Sequence, residues 1–171
     1  MVMTCPICAK IPEAHTFVNI GTLQNITLIY SSPARSRDYK ESDAQFENMR
    51  IHLNSMKTGP WIWLFDCRGM QLKHAASVGF AQKLGKLLSD EHSNVLQGIY
   101  ILHPNTWMKA TIKVMKTMFK ESMFKKLHLL EGEKLELYVK LESLGFSGKP
   151  LQWLSAVFVA PPEPGYLPAL H

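Results

Sequence analysis

The sequence has few cysteines and no long apolar run. Each of these absences excludes a class of protein. Only Cys5, Cys8 and Cys67 occur among 171 residues. An odd number of cysteines, with no apolar leader at the N-terminus, favours a reducing compartment over a disulfide framework. No apolar stretch reaches the roughly 18 residues that a membrane-spanning helix needs. We therefore expect a cytoplasmic protein that contacts membranes only transiently and at their surface.

The common catalytic motifs are also missing. The sequence contains no G-x-G-x-x-G, no G-x-x-x-x-G-K-[ST] and no G-x-S-x-G, so dinucleotide, P-loop and hydrolase-elbow chemistry lack their signatures. No pair of carboxylates stands out as an acid–base couple. Cys67 beside Arg68 is one alternative, an activated thiol, but a strand-end turn with a buried cysteine explains it more simply. We predict no catalytic residue and no enzyme.

A metal site is predicted to be absent as well. Cys5-x-x-Cys8 is half of a zinc-type ligand set, and His15 is a third candidate ligand. A structural zinc ion normally has four protein ligands, and the chain has no second cysteine pair. The seven histidines show no H-E-x-x-H spacing. The sequence therefore predicts no metal ligand and no cofactor.

The charge balance allows anionic partners without requiring them. The chain carries 19 basic and 14 acidic residues, a formal net charge of +5, and most of the basic residues are lysines. Lysines suit phosphate-rich surfaces as a set of point charges. A nucleic-acid-binding protein of this size would more often show arginine clusters interleaved with aromatic residues. We expect no nucleic-acid partner.

Apolar strands alternate with amphipathic helices along the chain. The predicted strands are Thr16–Ile20, Ile26–Tyr30, Trp61–Phe65, Gly98–Leu102 and Lys126–Leu130, and the predicted helices are Asp38–Lys57, Leu72–Leu88, Trp107–Met123 and Glu133–Leu141. This alternation is typical of an α/β domain with βαβ crossovers and a mostly parallel central sheet flanked by helices. We predict a flexible segment at 1–14, a single domain at 15–160 and an extended, proline-rich tail at 161–171. Trp153–Ala160 is predicted either to pack on the core or to dip into a membrane.

The helix that follows His103 has the most informative pattern. Its apolar side carries Met108, Ile112, Met115 and Phe119 at helical spacing, and it is extended by Trp107, Val114 and Met118. A lysine stripe lies beside it at Lys109, Lys113, Lys116 and Lys120, followed by Lys125 and Lys126. Between residues 103 and 131, six lysines and two glutamates give +4. Two interpretations stay open, a core helix with a solvated lysine face and a helix that covers a ligand while its lysines meet anionic headgroups.

Three motifs together resemble a known family. They are D-x-x-G at 66–69, I-Y-I-L-H-P-N-T-W-M-K-A at 99–110 and L-E-S-L-G-F at 141–146. Their order, with the basic helix between them, resembles the CRAL-TRIO lipid-binding domain, and is most similar to its BCH-like branch. The resemblance covers about residues 61–151.

This resemblance implies an apolar pocket under a mobile gate helix, here Trp107–Phe119. It also implies a lipophilic ligand such as a phospholipid, with Gln71 and Lys73 at positions that contact the lipid phosphate. These two residues are not the serine and threonine typical of phosphatidylinositol binders. We also expect residues 1–37 not to form the helical N-terminal lobe of the full-length carriers, because this segment is short and strand-like. Because BCH-like members bind small GTPases and themselves, a scaffold of that kind, as a heterocomplex or a homodimer, is the alternative.

The sequence thus predicts a lipid-binding and lipid-transfer module that holds a phospholipid or another lipophile and docks transiently on anionic membranes. The predicted lipid-binding residues are Trp107, Met108, Ile112, Met115, Phe119, Gln71 and Lys73. The predicted membrane or headgroup contacts are Lys109, Lys113, Lys116, Lys120, Lys125 and Lys126.

Overall fold

The computed structural model of the protein describes residues 5–39 and 42–170. Its strands are β1 (Val18–Leu23), β2 (Ile26–Ser31), β3 (Trp61–Asp66), β4 (Leu96–Leu102) and β5 (Leu127–Leu130). Its α-helices are α1 (Pro6–Lys10), α2 (Phe46–Asn54), α3 (Val78–Glu91), α4 (Thr106–Lys116), α5 (Glu121–Phe124), α6 (Lys134–Ser143) and α7 (Gly148–Val157). Short 3-10 helices lie at Pro33–Arg35, Asp43–Gln45 and Leu72–His74.

The five strands form one sheet whose order follows the chain, β1-β2-β3-β4-β5. β1 and β2 form an antiparallel hairpin. Its two-residue turn, Gln24-Asn25, has positive φ at both positions, the conformation that suits a tight hairpin. β2, β3, β4 and β5 are parallel to their neighbours. The predicted mixed α/β fold with a mostly parallel sheet is confirmed.

The strands are apolar on both faces because helices cover both sides of the sheet. On β3, Trp61, Trp63 and Phe65 point to the side covered by α2, α3 and α4. Ile62 and Leu64 point to the other side, which α6 and α7 cover. Crossover connections between parallel strands have one hand, so a sheet in chain order carries all its crossover helices on one face. The opposite face must then be covered by helices that follow the last strand.

The apolar segment near the C-terminus packs on the sheet. Trp153, Leu154 and Val157 of α7 are buried in the cluster that includes Leu28 and Tyr30 of β2. Trp153 also donates from Nε1 to the carbonyl oxygen of Pro168, at 3.1 Å. The open question of Trp153–Ala160 is thus answered in favour of core packing.

No helix in the described parts of the chain has the length and hydropathy to span a bilayer.

Several helix boundaries differ from the sequence prediction. The helix predicted at 107–123 ends at Lys116, and a separate turn of helix follows at Glu121–Phe124. The helix is interrupted because of a contact with α3. The backbone amide of Lys120 donates to the buried Ser89 hydroxyl at 2.7 Å. The helix predicted from Leu72 begins instead at Val78, because Ser77 caps it by accepting from the Phe80 amide at 3.0 Å.

Two further segments differ from the prediction. One contains a short helix, and in the other the helix begins later than predicted. Within 1–14, Pro6–Lys10 forms α1, and Cys5 and Ala14 are buried. In the segment predicted as helix from Asp38, the described residues begin a 3-10 turn at Asp43 and α2 at Phe46, and part of the prediction lies at residues 40 and 41, outside the described ranges. The domain boundaries 1–14, 15–160 and 161–171 stay predictions.

Candidate functional site

The candidate site lies between α4 and the sheet, and the start of α4 is fixed by one side chain. Asn105 caps the helix, accepting from the Met108 amide at 2.9 Å. Its Nδ2 donates to the Met70 carbonyl oxygen at 3.3 Å, which ties the helix start to the turn after β3. His103, just before, has a φ of 52° and turns the chain from β4 into the helix.

A small apolar cavity of about 30 Å³ lies beneath α4. Its lining consists of Trp63, Phe65, Leu84, Leu88, Ile99, Ile101, Met108, Thr111, Ile112, Met115, Phe119 and Leu127. Thr111 is the polar member, and its hydroxyl donates to the Trp107 carbonyl oxygen at 3.0 Å. The cavity has room for about one water molecule. An acyl chain requires α4 to move outward.

Four of the predicted lining residues meet at this cavity. Met108, Ile112, Met115 and Phe119 are all buried and line it. Trp107 is 39% exposed on the flank of α4 and is not part of the lining.

Gln71 and Lys73 lie elsewhere, on the exposed turn after β3. The Gln71 amide donates to Nδ1 of His74 at 2.9 Å. Lys73 borders a separate surface cleft of about 260 Å³, shared with Arg37 and His74. The structure therefore does not bring these two residues to the cavity, and their contact with a lipid phosphate stays a prediction.

The crossing of α3 and α4 leaves no space between the backbones. A Cβ atom built on Gly85 would lie 2.7 Å from the Met115 carbonyl oxygen and 3.1 Å from its Cα atom. Real side chains do not tolerate such a distance, so the glycine allows α4 to lie directly on α3. This contact helps to hold the cavity closed.

The predicted lysine surface is divided between paired and unpaired side chains. Lys109 forms an ion pair with Glu131 at 2.8 Å, and its hydrogen bond holds the pKa of Glu131 below the usual value. Lys120 pairs with Asp90 at 3.3 Å. Lys126 donates to the Ser93 carbonyl oxygen, and burial lowers the pKa of Lys126.

The other three lysines of this surface, Lys113, Lys116 and Lys125, are exposed and form no ion pair within residues 5–39 and 42–170. They are therefore the members most available to an external anionic surface.

The side chains of the turn after β3 make contacts that stabilise the fold. Asp66 is fully buried and accepts from the Tyr30 hydroxyl at 2.6 Å and from the Arg68 amide at 3.0 Å. Burial raises the pKa of Tyr30 well above its usual value, and the neighbouring Asp66 carboxylate adds to the rise, so the hydroxyl remains a donor. Asp66 therefore stabilises the turn. Cys67 is buried, in agreement with the simpler interpretation of this motif.

A second cluster lies on the other side of α2, away from α4. Cys5, Cys8 and His15, the three candidate ligands noted in the sequence, lie together with His52. The prediction of no metal site counted only three ligands, and the structure supplies a fourth. No local spacing could have found His52, because 36 residues separate it from His15.

Comparison with known families identifies the fold. The family model described as a divergent CRAL/TRIO domain matches residues 26–147, well over half of the chain. The protein belongs to this family.

Solved structures show a more distant similarity. One similar structure is the crystal structure of Sfh5, with 13% sequence identity and a TM-score of 0.49. The match covers 71% of this chain and 49% of the Sfh5 chain. The chain thus spans about half the length of Sfh5. No curated protein matches the sequence.

Family membership supports lipid binding or transfer at the level of the family. The matched residues include the whole of β2 to α6, and therefore four of the five strands, the helix α4 and the turn after β3.

Proposed function

We propose that the protein holds a lipophilic ligand, a phospholipid, in the space beneath α4 and exchanges it at anionic membranes. One observation carries the proposal: the space between α4 and the sheet is lined almost wholly by apolar side chains, in a chain that belongs to the CRAL/TRIO family. Two of the residues that α4 contributes are methionines, Met108 and Met115. Their flexible, polarisable side chains adapt to ligands of irregular shape.

Loading requires α4 to move, because the cavity of about 30 Å³ holds no acyl chain. The attachments at the two ends of the segment are few. Asn105 holds the start, and the Ser89 hydroxyl holds the Lys120 amide beyond the other end. Outward movement of the segment between these points exposes the buried faces of Ile112 and Met115. Burial of an acyl chain is worth about 0.8 kcal/mol per methylene group relative to water, less the cost of extracting the chain from the bilayer, and this retains the lipid once it is bound.

The direct test is mass spectrometry of an organic extract from the purified, natively folded protein. We expect a phospholipid in an amount close to that of the protein. An empty extract, together with no uptake from vesicles of phosphatidylcholine and phosphatidylserine, would contradict the proposal.

A matched pair of variants shows whether the lipid occupies this space. Ile112→Trp fills the cavity from the buried side of α4, whereas Ala110→Trp adds the same group on its exposed side. We expect the first variant to lose most of its bound lipid and the second to keep it. Circular dichroism of both checks that the fold is intact. Equal lipid content in two folded variants would place the ligand elsewhere.

The BCH-like scaffold remains the second candidate, and the small size of the cavity favours it. A closed core needs no ligand, and several apolar side chains of the same region are exposed, including Trp107 at 39%, Phe124 at 43% and Leu129 at 45%. A lipid-free protein that self-associates or binds a small GTPase in size-exclusion chromatography with light scattering would support this candidate. The cytoplasmic location and the transient membrane contact stay predictions in either case.

A further inference from the structure

Four side chains with metal-binding atoms converge where α1 meets α2. Cys5 caps the start of α1 and Cys8 lies within that helix. His15 follows in the loop before β1, and His52 lies in the last turn of α2. Cys5 and His15 are buried, and Cys8 and His52 are half-buried. The four ligand atoms all lie within 4.8 Å of one another.

Four of the six distances between these atoms are close to the edge lengths expected for a tetrahedral zinc site. His15 Nδ1 lies 3.5 Å from both sulfur atoms, Cys5 Sγ and Cys8 Sγ. His52 Nε2 lies 3.4 Å from Cys8 Sγ and 3.3 Å from His15 Nδ1.

A tetrahedral zinc ion predicts nearly these values. With zinc–sulfur bonds of about 2.3 Å and zinc–nitrogen bonds of about 2.0–2.1 Å, sulfur and nitrogen ligands lie about 3.5 Å apart, and two nitrogen ligands about 3.4 Å apart. The four measured distances fit a single ion at the centre of the cluster.

Hydrogen bonds alone do not explain the arrangement. A ring nitrogen of histidine either donates one hydrogen or accepts one. His15 Nδ1 has three neighbours at almost equal distances, Cys5 Sγ, Cys8 Sγ and His52 Nε2. A single proton on His15 cannot satisfy all three contacts, whereas a cation among the four atoms satisfies every one.

The surroundings hold the ligands in place from both sides. The Asp38 amide donates to the Ala14 carbonyl oxygen at 3.0 Å, and the Thr16 amide donates to the Ser36 hydroxyl at 2.9 Å. These bonds fix the backbone on either side of His15. The ring of Phe17 packs on that of His52, with centroids 5.2 Å apart.

α1 needs such a connection more than the other helices do. It has five residues, none of them buried. A helix this short is marginal in water on its own, so a contact outside the helix must hold it. Cys5 and Cys8 are the side chains that link it to α2 and to the loop before β1.

We propose that Cys5, Cys8, His15 and His52 bind a zinc ion that fastens the N-terminal segment to α2. Two thiolates, two imidazoles and a tetrahedral arrangement select zinc among the common divalent cations. Two thiolate charges balance the charge of the ion, so the buried site carries no net charge. All four positions are filled by protein ligands, which makes the ion structural and leaves no open position for catalysis.

Metal analysis of the full chain tests the proposal. The protein is produced without a histidine tag in medium with added zinc and analysed under reducing conditions by inductively coupled plasma mass spectrometry. We expect about one zinc ion per chain. A strong chelator removes it and lowers the thermal midpoint of unfolding, and added zinc restores the midpoint. Cobalt in place of zinc produces the visible absorption of a tetrahedral site with thiolate ligands.

Matched variants locate the ion. Cys8→Ser and His52→Asn each remove one ligand, and we expect loss of the bound zinc. The controls Asn48→Ala, which changes a neighbour 3.9 Å from Cys5 Sγ, and His128→Gln, on β5, keep it.

Three results would overturn the proposal. They are a wild-type protein that stays free of metal after reconstitution with zinc, zinc that survives both ligand substitutions, and a Cys5–Cys8 disulfide in protein purified under reducing conditions. The chelator experiment uses only the wild-type chain, so the test holds even if a variant fails to fold. Zinc content is also independent of lipid content, so this proposal and the proposed function can fail separately.

Discussion

At the scale of single residues, Arg35 joins the segment after β2 to the C-terminal segment at the end of α7. Its side chain is fully buried and donates to four carbonyl oxygens, those of Val157, Ala160, Pro161 and Tyr166, at 2.6–3.1 Å. Its own carbonyl oxygen accepts from the Gly165 amide at 2.8 Å. The bond to Val157 reaches the last carbonyl of α7, and the other bonds hold the segment that follows the helix.

Replacement of Arg35 is therefore expected to be costly. Arg35→Met removes four charge-assisted hydrogen bonds made by a buried guanidinium, at a cost of about 3 kcal/mol or more. Urea unfolding measures the change. Arg50→Met is the control, because among the described residues Arg50 forms surface ion pairs with Glu47 and Glu91, which contribute less than about 1 kcal/mol. Equal losses in the two variants would show that the bonds of Arg35 contribute little to stability.

His92 is a second residue with a specific consequence. It is fully buried, and neither ring nitrogen has a hydrogen-bond partner among the described residues. Its ring packs edge-on against Trp61, with centroids 5.6 Å apart. Burial lowers the pKa of His92 from 6.5 to about 4, and the nearby Lys57 ammonium adds to the effect.

The depressed pKa of His92 predicts a loss of stability in mild acid. Between pH 6.5 and about 4 the unfolded chain binds a proton at this residue and the folded chain does not, so unfolding becomes more favourable as the pH falls. At about 1.4 kcal/mol per pKa unit, the full effect is at most about 3.5 kcal/mol. We expect His92→Leu to make the free energy of unfolding fall less steeply over this range, while His52, whose pKa burial also lowers to about 4, keeps its own share of the slope. Parallel curves for the variant and the wild type would refute the role of His92.

At the scale of secondary-structure elements, the contact between α3 and α4 controls the candidate site. Gly85→Ala places a methyl group against the Met115 backbone. A side chain could relieve such a clash by changing its rotamer, but here the backbone of α4 itself has to shift. We expect a loss of about 1–3 kcal/mol in the free energy of unfolding. Faster hydrogen exchange of the α4 amides would show that the helix has been displaced.

Gly59→Ala is the matched control for Gly85→Ala. A Cβ atom on Gly59 meets nothing within 4 Å, and its φ is not positive. A neutral or slightly stabilising effect is expected there. If Gly85→Ala is as well tolerated as this control, the two helices are not held in fixed contact.

The elements also show what sequence reasoning can and cannot reach. The strands β2 to β5 were predictable because each is rich in apolar residues between polar turns, and β3 in particular has the continuous apolar run of a strand covered on both faces. The buried side of α4 was predictable from its spacing, since Met108, Ile112 and Met115 repeat with the helical period. The end of α4 was not, because it depends on a hydrogen bond from Lys120 to Ser89, a residue of another helix. His52 was missed as a possible ligand for the same reason, since its neighbours in space are remote in sequence.

At the scale of the whole molecule, the distribution of charge predicts where an anionic membrane binds. Lys113 and Lys116 are exposed on α4 without an ion pair among the described residues, whereas Lys109 and Lys120 are paired. A basic residue near an anionic surface contributes about 1 kcal/mol. The double variant Lys113→Glu/Lys116→Glu should therefore weaken binding to phosphatidylserine vesicles by about 30-fold or more, as measured by vesicle co-sedimentation.

A charge-matched control separates position from net charge. Lys134→Glu/Lys149→Glu changes the total charge equally, at exposed positions near the starts of α6 and α7. We expect it to retain most of the binding. Equal losses would mean that the membrane senses only the net charge of the protein.

The order of the sheet has a consequence for synthesis on the ribosome. Each strand pairs with the one made just before it, so the sheet and its first helical layer can assemble as the chain emerges. The second face, with Leu28, Ile62 and Leu64, stays bare until α6 and α7 have been made. A nascent chain that stalls before α7 is made exposes this apolar surface to other proteins. Chaperone capture, and the aggregation of prematurely terminated products, should therefore depend on the last helix more than on any other segment.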